Sequence, residues 1–423
     1  MAKKTTVKKS PGELPDPMKS FMAIDPEAEI VANANTTTAE FISTGSYALD
    51  AAISGRLLGG GVPSNKMTLF TGSSQTGKTF LVANVAAQAT KQGYSILWID
   101  SEGATDATTL NRIGVDINKV IIRQCDTIQS ATHIILQLID MLNKEEEEYG
   151  THNKWMVVVD SLANLSSVKE REDLLKINPA DGTAIPRDMS KAQAMKSLFR
   201  CVTTPLSKLQ VPLVCITHIY ANIMNPYAGN SISGGSGVEY NASVIVELSR
   251  SKLDDKITNK KAEESVNSGD LTRTGILVTA KIIKSRFTIP RKIRLIISYF
   301  APMRPSFFLE SYINWDNAQI GRGSIITEKE YEKLSPVDKD KVKIFDYKGQ
   351  KSYALLKDTA RTIAVGRKNM TIPISEFLTP KVFDQEFLEY MDENIIRPIF
   401  ELPSQDKLKE IDDIETALEL EGE

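Results

Sequence analysis

The sequence predicts an α/β protein: a mostly parallel sheet flanked by helices, plus an N-terminal arm and a small C-terminal α+β lobe. Two observations carry this. From Phe41 to about Ile320, short apolar runs alternate with stretches of helical periodicity, the pattern of strands joined by helical crossovers. The runs are also continuously apolar, as strands covered on both faces require. Of 423 residues, 41% are hydrophobic and 25% charged, which excludes fibrous and wholly disordered chains. No apolar run approaches the roughly 20 residues of a spanning helix. Lys3, Lys4, Lys8 and Lys9 are followed by no apolar segment of the kind that makes a secretory signal.

Taken in order, residues 1–40 are broken up by Pro11, Pro15, Pro17 and Pro26 and read as an extended arm with at most one short helix. Phe21, Met22, Ile24, Ile30 and Val31 give that arm apolar side chains to set against a neighbour or the chain's own core. Strands are expected at Met67–Thr71, Ser95–Asp100, Val120–Ile122, Trp155–Asp160, Leu213–Thr217, Val244–Leu248 and Leu277–Ile283. Helices are expected at Lys78–Gln92 and Ser130–Lys144. After Gly321 the chain becomes Lys/Glu-rich, with a strand pair at Lys343–Tyr347 and Lys351–Leu355 and a helix near Pro380–Met391. The end, Gln405–Glu423, sets eight acids against Lys407 and Lys409 and reads as a solvated tail. The expected divisions are therefore 1–40, 41–320, 321–404 and 405–423.

Three cysteines (Cys125, Cys201, Cys215) and three histidines (His133, His152, His218) are scattered without metal-ligand spacing. This suggests a reducing compartment and no structural zinc. A net charge of −3 gives no bulk argument for nucleic acid, so any such argument rests on local clusters.

The strongest motif is Gly72-Ser73-Ser74-Gln75-Thr76-Gly77-Lys78-Thr79, a complete phosphate-binding loop between an expected strand and an expected helix. The glycines let successive N–H groups curl toward phosphates, and the helix N-terminus adds its dipole. Lys78 would reach the β- and γ-phosphates of ATP, and the Thr79 hydroxyl would ligate Mg²⁺. Such a loop needs an acid at a neighbouring strand end, and Met156-Val157-Val158-Val159-Asp160 supplies Asp160 for the magnesium. A second strand ends in Asp100-Ser101-Glu102, so these carboxylates should face the same crevice. Glu102 there can act as a general base on water; spacing alone equally allows a surface or capping acid.

The order Ser43-Thr44-Gly45-Ser46, Leu49-Asp50, the phosphate loop, Ile99-Asp100-Ser101-Glu102, Val159-Asp160-Ser161 and Gly234-Gly235 resembles the RecA-type recombinases, the phage recombinases in particular. The resemblance covers about Phe41 to Ile297. It implies a RecA-like P-loop ATPase core, with Glu102 at the catalytic glutamate position and His218 at the γ-phosphate sensor position; a packed core histidine is the competing reading. It also implies two DNA-binding loops. The first, Ser166–Met189, carries Lys169, Arg171, Lys176 and Arg187; the second, Ile219–Asn241, carries Ile223, Met224, Gly234 and Gly235. Cations track phosphates and apolar tips wedge between bases, although ordinary solvated connections would look similar.

By the same resemblance, Lys284 and Arg286 reach across a filament interface to the neighbour's ATP. They belong to a stretch with six cations and no acid (Lys281, Lys284, Arg286, Arg291, Lys292, Arg294), which otherwise reads as a solvated basic hairpin. Where the family stacks an aromatic on adenine, this chain has Thr109.

The implied activity is ATP-dependent strand exchange in a helical homo-oligomeric filament on single-stranded DNA, engaging double-stranded DNA, with DNA-stimulated hydrolysis of ATP and Mg²⁺ as cofactor. Single-strand-binding and mediator proteins are the implied partners, and the cytoplasm, of a host cell if phage-encoded, the implied location. The alternatives are a hexameric helicase-like ATPase and a non-catalytic mediator that binds ATP and DNA.

Overall fold

The computed structural model describes residues 16–24, 40–176, 190–220, 231–233, 236–250, 275–299 and 301–400. The chain divides into two compact units, Met1–Ala39 and Glu40–Glu423. In the first, helix α1 (Pro17–Met22) starts with Pro17 and is capped by Asp16, whose carboxylate accepts the Met18 N–H at 2.9 Å. Phe21, Met22 and Ile24 are exposed; Ile30 and Val31 lie outside the described residues.

The second unit opens with β1 (Phe41–Ile42), α2 (Tyr47–Ser54) and β2 (Val62–Pro63), β1 and β2 pairing antiparallel. Then follow β3 (Met67–Gly72), α3 (Lys78–Lys91), β4 (Ser95–Asp100), α4 (Ala107–Ile113), β5 (Val120–Gln124), α5 (Ile128–Tyr149) and β6 (Trp155–Asp160). Next come α6 (Val168–Lys176), α7 (Ser190–Lys208), β7 (Leu213–Tyr220), β8 (Ser231–Ile232), α8 (Ser236–Asn241), β9 (Val244–Arg250), β10 (Gly275–Lys284) and β11 (Lys292–Ser298). The sheet order is β11-β10-β9-β3-β7-β6-β4-β5, with β8 beside β7. The pairs from β9 to β5 are parallel; β9–β10, β10–β11 and β7–β8 are antiparallel.

Continuous apolar strands are explained by this layering. In β6, Met156 and Val158 join a core that includes α2 and α3, while Val157 and Val159 join another that includes α5 and α7. Each residue meets a hydrophobic layer, so no polar face is needed. Trp98 on β4 is fully buried on the α3 side. Helix α5 is framed by local chemistry: the Thr127 hydroxyl accepts the Ser130 N–H at 3.2 Å, and Gly150 ends it at φ +71°.

Three expectations are corrected. The first expected loop contains α6, because Ser167 and Glu170 form a reciprocal cap: Glu170 N–H to Ser167 Oγ at 3.0 Å, Ser167 N–H to Glu170 Oε2 at 3.2 Å. The basic stretch does form a hairpin, β10 with β11, but not a solvated one: Ile293, Leu295 and Ile297 are buried while Lys292 is exposed. Cations on the outer positions hid that alternation from a reading by charge. In the C-terminal segment, β12 (Ile320–Ile326), β13 (Val342–Tyr347), β14 (Gln350–Leu356), β15 (Thr362–Val365) and β16 (Met370–Pro373) form one antiparallel sheet, ordered β13-β14-β12-β15-β16. Only β13 and β14 had been expected there. At four residues each, β15 and β16 are too short to stand out as strands in the sequence.

Helix α9 (Gln385–Met391) follows, starting at its Asp384 cap rather than near Pro380. Its continuation reaches the glycine-rich connection after α2: the buried Asp392 carboxylate accepts the Leu57 N–H and pairs with Arg397 at 2.9 Å. Phe387, Ile396 and Phe400 belong to the same hydrophobic cluster as α2 and α3. Among the described residues no helix is long and apolar enough to cross a membrane.

Candidate functional site

Parallel strands in this order bring the carboxyl ends of β3, β4, β6 and β7 to one edge. In register, Gly72 faces His218 and Asp100 faces Asp160. At that edge lies a cleft of about 290 Å³ lined by Ser74 to Phe80, Glu102, Asp160, Ile216, His218, Arg250 and Tyr299. Residues expected from distant parts of the sequence thus meet: Ser74, Gln75, Thr76, Gly77, Lys78, Thr79, Glu102, Asp160 and His218.

The phosphate loop departs from β3 at Gly72 and enters α3 at Gly77. Gly72 has φ +151°, and a Cβ there would lie 2.3 Å from the Leu248 carbonyl oxygen. Gly77 has φ +83°, and a Cβ would lie 2.9 Å from Ile276 Cδ1. Both positions disfavour a side chain by their positive φ, and at Gly72 the fixed backbone of Leu248 also leaves no room for one. Thr76 Oγ1 donates to the Ser73 carbonyl at 2.9 Å, closing the turn. Lys78 is buried and donates to the Gly72 and Ser73 carbonyls at 3.0 and 2.7 Å. Burial holds its pKa below the ordinary lysine range, while Glu102 and Asp160 oppose the shift.

Asp160 is buried, and its carboxyl is pushed up to about 7, first by burial; a hydrogen bond from Thr79 pulls the other way. Its Oδ1 has no hydrogen-bond partner. A buried carboxylate oxygen without a donor, beside a hydroxyl, fits the oxygen ligands of a magnesium ion. The Asp160–Ser161 peptide is cis.

Glu102 is exposed at the cleft, its Oε1 2.8 Å from Ser161 Oγ and 3.5 Å from His218 Nε2. Asp100, expected in the crevice, instead turns to the backbone: its carboxylate accepts the N–H groups of Glu102, Gly103 and Thr105 at 2.9, 2.8 and 3.1 Å. Thr109 lies outside the cleft lining and bonds to Asp106 at the start of α4. The aromatic wall is Tyr299, packed on Phe80 with ring centroids 5.0 Å apart.

Tyr299 and Arg250 were missed in the sequence. Arg250 Nε donates to the Gln75 carbonyl at 3.0 Å across the loop's outer rim. It ends β9, which runs two residues past its expected limit; extending each parallel strand to its carboxyl end would have found it. Tyr299 follows β11, a strand hidden by its charges.

The other expected residues lie elsewhere. Lys284 Nζ donates to the Glu239 and Tyr240 carbonyls at the end of α8, at 2.8 and 3.3 Å. Arg286 is exposed, and neither cation lines the cleft of its own chain. Arg291 turns inward, donating to the Ile399 carbonyl at 2.7 Å over the Phe400 ring. On α6, Lys169 is exposed and Arg171 pairs with Asp126. Arg187, Ile223, Met224, Gly234 and Gly235 lie outside the described residues, as does the acidic tail.

Comparison with known proteins agrees with this geometry. The RecA N-terminal domain family matches residues 27–300. Protein RecA of Delftia acidovorans is 29% identical over 254 residues, 60% of this chain and 60% of that protein. Protein RecA of Mesomycoplasma hyopneumoniae is 28% identical over 264 residues, 62% of this chain and 68% of that protein. The Recombination and repair protein of Enterobacteria phage T4 is 27% identical over 230 residues, 54% of this chain and 55% of that protein. The match spans about 60% of the length of the first of these relatives. The family match covers the whole sheet that carries the cleft, and the chain belongs to the RecA family.

Proposed function

We propose that this chain is an ATP-dependent recombinase that forms filaments on single-stranded DNA, exchanges strands with homologous duplex, and hydrolyses ATP when DNA is bound. The observation that carries the reading is the meeting of Lys78, Thr79, Asp160, Glu102 and His218 in one cleft at the strand ends. Each has a role there. The loop N–H groups and the α3 N-terminus receive the phosphates. Lys78 exchanges the Gly72 and Ser73 carbonyls for phosphate oxygens. Thr79 and Asp160 would hold Mg²⁺, which when bound neutralises charge on the phosphates. Glu102 takes the proton from the attacking water. His218, beside Glu102 and near the carboxyl end of β7, would sense the γ-phosphate. Tyr299 and Arg250 border the opening, where the base and ribose would emerge.

Lys284 and Arg286 act on the next subunit's nucleotide in this proposal. Lys169, Arg171, Arg187, Ile223, Met224, Gly234 and Gly235 form the DNA surfaces, and the apolar face of the N-terminal arm serves polymerisation. Glu102→Gln tests the core of the reading. With single-stranded DNA and Mg²⁺, the parent should hydrolyse ATP faster than without DNA, and Glu102→Gln should bind ATP but not turn it over. Hydrolysis by Glu102→Gln at the parental rate would remove the base from the scheme.

A further inference from the structure

Glu102 is fixed by two separate devices, and only one acts on its reacting end. The Asp100 carboxylate gathers the N–H groups of Glu102, Gly103 and Thr105 and so fixes the backbone of the turn. That leaves the glutamate side chain free to choose among staggered rotamers. What reaches the carboxylate is Ser161, fully buried at the end of β6, with its hydroxyl 2.8 Å from Glu102 Oε1. An ionised carboxylate only accepts, so the serine must donate. His218 Nε2 lies 3.5 Å from the same oxygen, beyond good hydrogen-bond length.

Ser161 is itself immobilised through its backbone. Its N–H donates to Ser101 Oγ at 2.9 Å, and its carbonyl accepts the Ser101 hydroxyl at 2.8 Å. On either side, Ser101 N–H donates to the Asp160 carbonyl and Leu162 N–H to the Ile216 carbonyl, both at 2.8 Å. None of these stitches uses the Ser161 hydroxyl, whose bond goes to Glu102.

We propose that Ser161 is the positioning residue of the general base: by holding Oε1, it leaves Oε2 to meet the attacking water. The inference rests on the reading of Glu102 as base. Because the backbone stitches survive removal of the hydroxyl, Ser161→Ala deletes one hydrogen bond and leaves the strand ends and the phosphate loop in place. A base displaced by a fraction of an ångström to one ångström loses about 10- to 100-fold in rate.

The test uses the full chain with saturating single-stranded DNA and Mg²⁺. It compares kcat, the KM for ATP, and ADP affinity by equilibrium titration for the parent, Ser161→Ala, Glu102→Gln and the double variant. Ser161→Ala should lower kcat about 10- to 100-fold while KM and ADP affinity stay parental. The double variant should be no slower than Glu102→Gln, since a serine that acts through the carboxylate has nothing left to position. If Glu102→Gln is inactive but Ser161→Ala keeps the parental kcat, the positioning role is refuted and the base reading stands. If Ser161→Ala loses ADP affinity in step with kcat, the serine supports the nucleotide site generally and the role is again refuted. Parental turnover by Glu102→Gln overturns the base reading and this inference together.

Discussion

Asp160 sets the chemistry of the site at the scale of single residues. Burial pushes its carboxyl up to about 7, yet in its proposed role as Mg²⁺ ligand it must be ionised. Mg²⁺-dependent nucleotide binding should therefore weaken as pH falls through about 7 and recover above it. Isothermal titration of ADP with and without Mg²⁺ across that range reads the effect; a Mg²⁺ contribution that does not change with pH would contradict it. Residues of this kind were legible in the sequence because the phosphate loop, Asp160 and Glu102 sit in contiguous runs whose spacing already implies a strand end. Ser161, Arg250 and Tyr299 were not legible as site residues. Their part depends on strand register and on where β9 and β11 end, and no local run of sequence fixes either.

Among the elements, α6 carries Lys169 and Arg171, the described cations of the proposed DNA surface. None of its residues is buried, and Leu174 and Leu175 are exposed, Leu175 at 86%. Tertiary packing therefore supplies little of its stability, and the Ser167–Glu170 box holds its start. That box was legible as Ser-x-x-Glu before a helical run, but a long connection expected to be irregular concealed it. The Arg171–Asp126 pair is exposed, and such a pair contributes only about 0–1 kcal/mol, so a phosphate can replace Asp126 at little cost. Replacing Lys169 and Arg171 by alanine should flatten the salt dependence of single-stranded DNA binding, whose log–log slope is roughly −0.7 per phosphate neutralised. Sequence preference should not change, because phosphate contacts position without specifying. A slope equal to the parent's in fluorescence-anisotropy titrations would take α6 off the DNA path.

For the whole molecule, the sheet order brings the phosphate loop and Glu102 to one cleft but leaves Lys284 and Arg286 outside it. In the proposed filament a neighbour would receive those cations, at the charge developing on its γ-phosphate. Lys284 now holds the carbonyl end of α8, the helix that follows the second expected DNA loop. Engaging a neighbour's nucleotide would cost it those bonds and so link nucleotide to DNA surface. Lys284→Ala and Glu102→Gln chains, each inactive alone, should recover part of the DNA-stimulated ATPase when mixed, since some interfaces then receive both intact groups. No recovery at any ratio would argue against action across an interface. At this scale the α/β class and the strand positions were readable from apolar runs, whereas three of the five C-terminal strands were not: β15 and β16 have four residues each, and β12 is interrupted by Gly321, Arg322, Gly323 and Ser324.

Strand exchange itself is the most direct test of the account. The full chain, ATP and Mg²⁺ would be incubated with a labelled single strand and a duplex, and joint molecules resolved on a gel. Joint molecules are expected with homologous duplex, none with heterologous duplex, and none with the Lys78→Ala variant, which lacks the cation proposed to bind phosphate. Joint molecules that form equally well without ATP or without homology, or no joint molecules from a preparation that hydrolyses ATP on DNA, would contradict it.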